Sequence, residues 1–191
     1  MKNQVNNASY NNDWYRAQIG ANKIKQWLWY FVNVVFFINP LNPVSSLKIL
    51  LLKLFGAHIG KNVVIKQSVN IKYPWKLFIG DHTWIGELVW IDNLANVTIG
   101  NNVCISQGAM LLTGNHNFTK TSFDLIVKAI TIEDGVWIGA RAVVCPGVQC
   151  QTHSVLTALS LANKHLESYT IYQGNPAVAV KERQIEEDAT I

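Results

Sequence analysis

The sequence predicts an all-β solenoid: a parallel β-helix of about five triangular coils, with helices before it and a short helical tail after it. Three observations carry this. Large aliphatic residues recur in steps of six, glycine follows many of them, and helical periodicity stops at Gly56.

The step is laid out by Ile59, Ile79 and Ile99, then Ile65, Ile85 and Ile105, then Ile71, Ile91 and Leu111. After a break it resumes at Ile132, Ile138 and Val144, and continues through Cys150, Leu156 and Ala162. A six-residue period matches neither a helix nor a plain strand, but fits a short strand plus a tight corner, one large aliphatic pointing inward per face. Three faces close a coil of about 18 residues, and stacked coils pair as parallel strands roughly 4.8 Å apart. Ala57, Leu77, Val97, Ile130 and Val148 stand two residues before the lead anchors, on the same side of the strand. Gly60, Gly80, Gly86, Gly100 and Gly139 follow anchors, and Asn62, Asp81, Asn101, Asn102 and Asp134 come soon after, as expected at corners that tolerate positive φ. The spacing leaves handedness open; the general preference for right-handed crossovers is the only local guide.

Three regions are expected: residues 1–56 as an arm and two helices, 57–168 as the β-helix with a loop inserted at 112–129, and 169–191 as the tail. Residues 1–21 are polar and Asn-rich, reading as a loosely held arm. Asn22 is placed to cap a helix running to Asn39, closed by Pro40 and Pro43. A second helix is expected from Ser46 to Phe55, capped by Ser45 and stopped by Gly56. The first helix is apolar nearly all round, with Trp27, Trp29, Tyr30, Phe31 and Phe36 among its residues. It has two uses that do not exclude each other: covering the open strand edges of the first coil, or resting on a membrane surface beside Lys23, Lys25, Lys48 and Lys53.

Composition bounds the function. Hydrophobic residues make up 49% and charged residues 15% of 191, enough for a large core. The net charge of +4 comes without a dense Lys/Arg run, which argues against a nucleic-acid protein. Three cysteines (Cys104, Cys145, Cys150) without CxxC spacing, and a polar N-terminus unlike a signal peptide, point to a reduced cytoplasmic setting. The cysteines are expected to be small core residues. His58, His82, His153 and His165 fall at turns or corners, with no chemical role expected.

The repeat breaks between Leu111 and Ile130, where a regular solenoid would need no polar excursion. Loops projected from rigid scaffolds are where function concentrates. His116 is the only histidine in this one and sits at its start, beside the last ordered strand.

With the Thr113-Gly114-Asn115-His116 loop come Val136 to Val144, Pro146-Gly147-Val148 and Tyr172-Gln173-Gly174-Asn175-Pro176-Ala177. Together these resemble the hexapeptide-repeat left-handed β-helix acyltransferases. Tyr73-Pro74-Trp75-Lys76-Leu77 and the aromatic helix before Leu54-Phe55-Gly56-Ala57 bring the chain nearest to the colanic acid biosynthesis acetyltransferase subgroup. The resemblance implies left-handed coils, acetyl-CoA as co-substrate, no metal, and a homotrimer with the coenzyme cleft between prisms. It implies His116 as the general base, and Gly139, Ala140, Ala158, Lys164 and Arg183 as coenzyme contacts. Trp90, Asp92, Asn93, Asn115 and Asn117 are its implied acceptor contacts, and a sugar hydroxyl, on a free or lipid-linked saccharide, is the implied acceptor. Family members often place Asp after the loop histidine; Asn117 stands there, leaving the ring's orienting partner open.

Rival readings are separable. A zinc enzyme on this fold needs three convergent histidines, and only His116 is available at the loop. A small-molecule acetyltransferase, for serine, a galactoside or an antibiotic, shares the chemistry but fits the N-terminal helix less well. A non-catalytic assembly module would lack the histidine loop and the Gly-Asn-Pro-Ala ending.

Overall fold

The structure is a computed structural model that describes residues 3–186. Its body is a three-faced parallel β-helix. The first face stacks His58–Ile59, Leu77–Ile79, Val97–Ile99, Ile130–Ile132 and Gln149–Cys150. The second stacks Val64–Ile65, Trp84–Ile85, Cys104–Ile105, Trp137–Ile138, Val155–Leu156 and Thr170–Gly174. The third stacks Asn70–Ile71, Trp90–Asp92, Met110–Leu112, Val143–Val144 and Leu161–Ala162.

Register sets anchor on anchor: Ile59 on Ile79 on Ile99 on Ile132 on Cys150, and likewise on the other faces. All fifteen anchors are buried, none more than 8% exposed, and the five residues two places ahead of the lead anchors are buried with them. At roughly 1.5–3 kcal/mol per fully buried large aliphatic side chain, these columns dominate the stability. Leu166 bridges to Cys150 and Tyr172 pairs with Leu156, so a sixth turn is begun, and the solenoid has about six turns where the spacing predicts about five.

The corners follow the expected rule at Asn62 and Asn102 but not at the glycines after the anchors. Positive φ falls on Asn62, His82, Asn102, Gly135 and His153 at one edge, and on Ser68, Leu88, Gly108, Arg141 and Leu159 at another. The glycines that directly follow anchors serve close stacking instead. A Cβ on Gly80 would lie 2.6 Å from the Gly100 carbonyl carbon, and one on Gly139 would lie 2.6 Å from that of Thr157. The polar residues at this edge form a ladder: Asp81 accepts from Lys61 N–H (2.7 Å), Asn101 from Asp81 N–H (2.8 Å), and Asp134 from Asn101 N–H (2.7 Å).

After α1 (Asp13–Arg16) in the arm, the bottom of the prism is closed by α2 (Lys23–Val32), a π-helical continuation over Asn33–Ile38, and α3 (Ser45–Leu54). Asn22 caps α2 as expected, accepting from Lys25 N–H at 2.9 Å. Ser45 does not cap α3. It is the first helical residue, and its hydroxyl instead accepts the Ile65 N–H of the first coil (2.8 Å). This belongs to a pattern in which helix side chains satisfy the open strand edge. Trp29 Nε1–H donates to Ile71 O (2.9 Å), Asn33 donates to Asn70 Oδ1 (2.8 Å), and the buried Lys48 ammonium donates to Lys66 O (2.6 Å).

Two expectations are corrected. The arm is anchored: Tyr15 is buried, its hydroxyl donates to Leu94 O (3.1 Å), and Trp75 Nε1–H donates to Ile19 O (2.6 Å). The tail is a hairpin, not a helix: Thr170–Gly174 pairs antiparallel with Ala177–Glu182, and Gly174-Asn175-Pro176 makes its turn. Cysteine burial is also uneven, since Cys104 points outward and is exposed while Cys150 is fully buried.

Candidate active site

The site grows from one edge of the prism, between the third and first faces. Ile71 to Ile79 and Ile91 to Ile99 are steps of eight rather than six. The added residues make a 3₁₀ turn at Pro74–Lys76 in the first coil and the Asn93-Leu94 corner in the second. In the third coil the same edge projects a hairpin, Gly114–His116 paired antiparallel with Leu125–Val127. Buried Thr113 fixes its base: its hydroxyl donates to Asp92 O (2.8 Å) and accepts Ala95 N–H (3.0 Å).

His116 lies on this hairpin with its ring stacked on Phe123, centroids 4.5 Å apart and planes 7° from parallel. Its Nδ1 is 2.9 Å from Phe123 O. A carbonyl only accepts, so Nδ1 carries a proton, and in the neutral ring the lone pair falls on Nε2. The partner that orients the ring is therefore a backbone carbonyl seven residues on, which a search for an acid beside the histidine would not find. Tyr10 of the arm packs on the other side, 5.7 Å between centroids.

His116 lines a cavity of about 440 Å³ with Tyr10, Tyr15, Arg16, Tyr73 and Asp92. Asp92 is paired with Lys72 at 3.0 Å. Lys76 donates to Gln18 O (2.8 Å) and Leu94 O (2.6 Å), clamping the arm from below. Burial raises the Tyr15 phenol's pKa, assisted by Tyr73, so it stays a neutral donor, and burial lowers that of the Lys76 ammonium.

The structure brings Asp92 and Asn115 to the cavity with His116. Trp90 lies on the exposed outer side of the third face and lines an adjoining groove that shares Lys72, Tyr73 and Asp92 with the cavity. Asn93 is fully buried, its amide bonded to Tyr73 N–H (2.9 Å) and Tyr73 O (2.6 Å), so it shapes the wall from inside. Asn117 turns inward on its own loop, accepting from the Thr119 hydroxyl (2.6 Å) and N–H (3.1 Å).

The five expected coenzyme residues are not gathered in one chain. Gly139, Ala140 and Ala158 stack at the edge between the second and third faces, Ala140 O accepting Leu159 N–H (2.9 Å). Exposed Lys164 follows the last third-face strand. Arg183 is held at a further edge, donating to Gly135 O (2.8 Å) and His153 O (3.1 Å). Among the described residues no group of three or more His, Cys, Asp or Glu is arranged to hold a metal.

Sequence reasoning missed Tyr10, Tyr15, Arg16, Lys72, Tyr73 and Leu94. The signal was present in the two eight-residue steps, which mark the edge where the hairpin later emerges.

No protein-family model matches the chain. It is 40% identical over 164 residues, 86% of its length and 90% of the relative's, to the colanic acid biosynthesis acetyltransferase WcaF of Escherichia coli. It is 30% identical over 135 residues to the galactoside O-acetyltransferase of the same organism, covering 69% of this chain and 66% of the relative. Among solved structures, a hexapeptide-repeat acetyltransferase of Vibrio cholerae complexed with acetyl-CoA superposes with a TM-score of 0.77 at 24% identity, over 93% of this chain and 96% of that one. A maltose O-acetyltransferase of Clostridium difficile gives 0.70 at 20% identity, over 92% of each chain. The structural likenesses establish the left-handed hexapeptide-repeat fold.

Proposed function

The chain belongs to the hexapeptide-repeat acetyltransferases, in the group of the colanic acid biosynthesis enzymes, and uses acetyl-CoA as co-substrate. From that premise we propose that it O-acetylates a saccharide hydroxyl in polysaccharide biosynthesis, with His116 as general base. The observation that carries the reading is the fixed imidazole: a ring held by the Phe123 carbonyl and stack, lining a cavity of about 440 Å³.

In this mechanism Nε2 of His116 takes the proton of the acceptor hydroxyl as its oxygen attacks the thioester carbonyl. The tetrahedral adduct collapses, the carbon–sulfur bond breaks, and the imidazolium returns the proton to the coenzyme thiolate. Phe123 O holds the ring in place by accepting from Nδ1–H throughout. Asp92 and Asn115 offer acceptors to sugar hydroxyls, and Tyr73 and Trp90 offer ring faces to the apolar side of a pyranose. General-base assistance contributes roughly 10²–10⁴-fold, and positioning of acceptor and thioester supplies much of the rest.

A homotrimer fits this arrangement. The outward positions of the second and third faces carry Trp84, Trp137, Trp90 and Met110, each more than a third exposed in the single chain. The outward positions of the first face are more polar, carrying His58, Phe78, Thr98, Thr131 and Gln149. Packing the two apolar faces between copies would cover those rings and bring one copy's Gly139–Ala158 edge toward another's histidine hairpin. Three unpaired cysteines suit a reducing cytoplasm. Incubation with labelled acetyl-CoA and a panel of sugars, lipid-linked oligosaccharides and antibiotics tests the reading. Label on a saccharide oxygen is expected; label on the antibiotics alone would overturn it.

A further inference from the structure

Helix α2 and its π-helical continuation have two apolar faces, and the prism uses only one. Trp29 and Phe37 point into the first coil and are fully buried. Ile24, Trp27, Leu28, Phe31 and Val35, on the opposite side, are all exposed, Ile24 by 72% and Trp27 by 67%. Leu41 (85%) on the following loop and Leu54 (70%) on α3 are exposed as well. An exposed apolar helix face of this kind marks an interaction site. No helix among the described residues is long and apolar enough to cross a membrane.

Charge says what covers it. Residues 14–80 hold nine Lys or Arg and no Asp or Glu, while residues 81–191 hold six basic residues against eleven acidic ones. Lys48 is buried, Lys72 is paired with Asp92 and Lys76 is clamped on the arm. Lys23 and Lys53 on the helical cap, and Lys61 and Lys66 on the first coil beside it, are exposed. Two copies meeting through the apolar face would oppose like charges. An anionic bilayer takes both parts, with Trp, Tyr and Phe at the headgroup level and lysines reaching lipid phosphates.

The same end of the molecule opens toward the chemistry. A groove of about 340 Å³ runs between the helix (Tyr30, Val34, Ile38) and the prism wall (Trp90), and shares Lys72, Tyr73 and Asp92 with the His116 cavity. The His116 cavity and a cleft walled by the apolar helix thus adjoin at Lys72, Tyr73 and Asp92.

We infer that the helical cap, residues 24–54, docks on an anionic membrane surface, and that the acceptor reaches His116 from that surface along the groove as a lipid-linked saccharide. The second half rests on the acetyl-transfer reading above; the first does not. Full-length protein is mixed with vesicles of phosphatidylcholine alone, or of phosphatidylcholine and phosphatidylglycerol at roughly seven to three, and sedimented. Binding to the phosphatidylglycerol vesicles and little to the neutral ones is expected, weakening as salt is raised. Trp27→Ser with Phe31→Ser, and separately Lys23→Glu with Lys53→Glu, should each cut that binding at least about tenfold. Both variants should keep wild-type transfer to a soluble saccharide and lose rate only on a lipid-linked one in vesicles. Equal binding to both vesicle types, unchanged binding by both variants, or a lower assembly mass on Trp27→Ser with Phe31→Ser would overturn membrane docking. A wild-type protein that binds vesicles but acetylates no saccharide would sink the acetyl-transfer reading instead.

Discussion

The prism and the N-terminal segment below it solve opposite problems. In the prism each coil repeats its neighbour, so a residue meets its own kind above and below, as Ile85 lies between Ile65 and Ile105. Residues 3–56 contain no repeat; each contact is made once, as with Trp29 on Ile71 O or Tyr15 on Leu94 O. Repetition makes shape robust and carries no chemistry. The site appears where the two regions touch and the coil departs from sixes.

The comparison is tested most strongly by stability. Ile105 is 1% exposed, with Ile85 below and Ile138 above. Its truncation to Ala should cost about 2–5 kcal/mol by urea unfolding, since neighbours locked by their own stacking cannot collapse into the gap. Trp27→Ser, a larger truncation, should change stability by no more than about 0.5 kcal/mol. A comparable loss at Trp27 would mean the outer face of α2 is packed in the working protein.

Next comes activity. His116→Ala should leave the unfolding midpoint nearly unchanged and lower turnover at least about a hundredfold. Retained turnover would remove the imidazole from the mechanism. A third variant probes the seam itself. Tyr15→Phe deletes the hydroxyl that donates to Leu94 O, while the Lys76 ammonium still donates to that carbonyl. A loss of about 1 kcal/mol is expected, with faster proteolytic cleavage of the arm and a KM for the acceptor raised a few-fold at nearly constant kcat. Unaltered KM would show that the arm walls the cavity without helping to form it.

These contrasts explain what was readable beforehand. Periodicity is a property of sequence, so all fifteen anchors and their register could be read without coordinates. His116 was legible because it interrupted a period. Its orienting partner was not, because a carbonyl acceptor at Phe123 leaves no mark in residue types. The docked arm was hidden for a related reason: Tyr10 and Tyr15 sit among asparagines that read as solvated chain, and their partners, His116 and Leu94, lie 106 and 79 residues away. The π-helical segment was read as ordinary helix, since an i→i+5 bond pattern has no composition of its own. The tail's helical reading failed because a two-strand hairpin of Ala, Val and Lys alternates too briefly to stand out.

The smallest expected effect concerns a place where the repeat breaks its own rule. Ser68, Leu88, Gly108, Arg141 and Leu159 occupy equivalent corners, all with φ between 56° and 67°. Left-handed backbone costs an ordinary L-residue about 1–2 kcal/mol, and Asn less because its short amide bonds locally. Leu88 meets that cost with a side chain 64% exposed in the single chain, so burial there does little to offset it. Leu88→Asn should therefore raise stability by roughly 0.5–1 kcal/mol, about 1–4 °C in Tm for a chain of this length, read by thermal unfolding at fixed protein concentration. A fall in Tm would mean instead that Leu88 is buried by another copy of the chain. The strain would then belong to assembly, and the repeating region, like the N-terminal segment, would hold positions that fold alone does not explain.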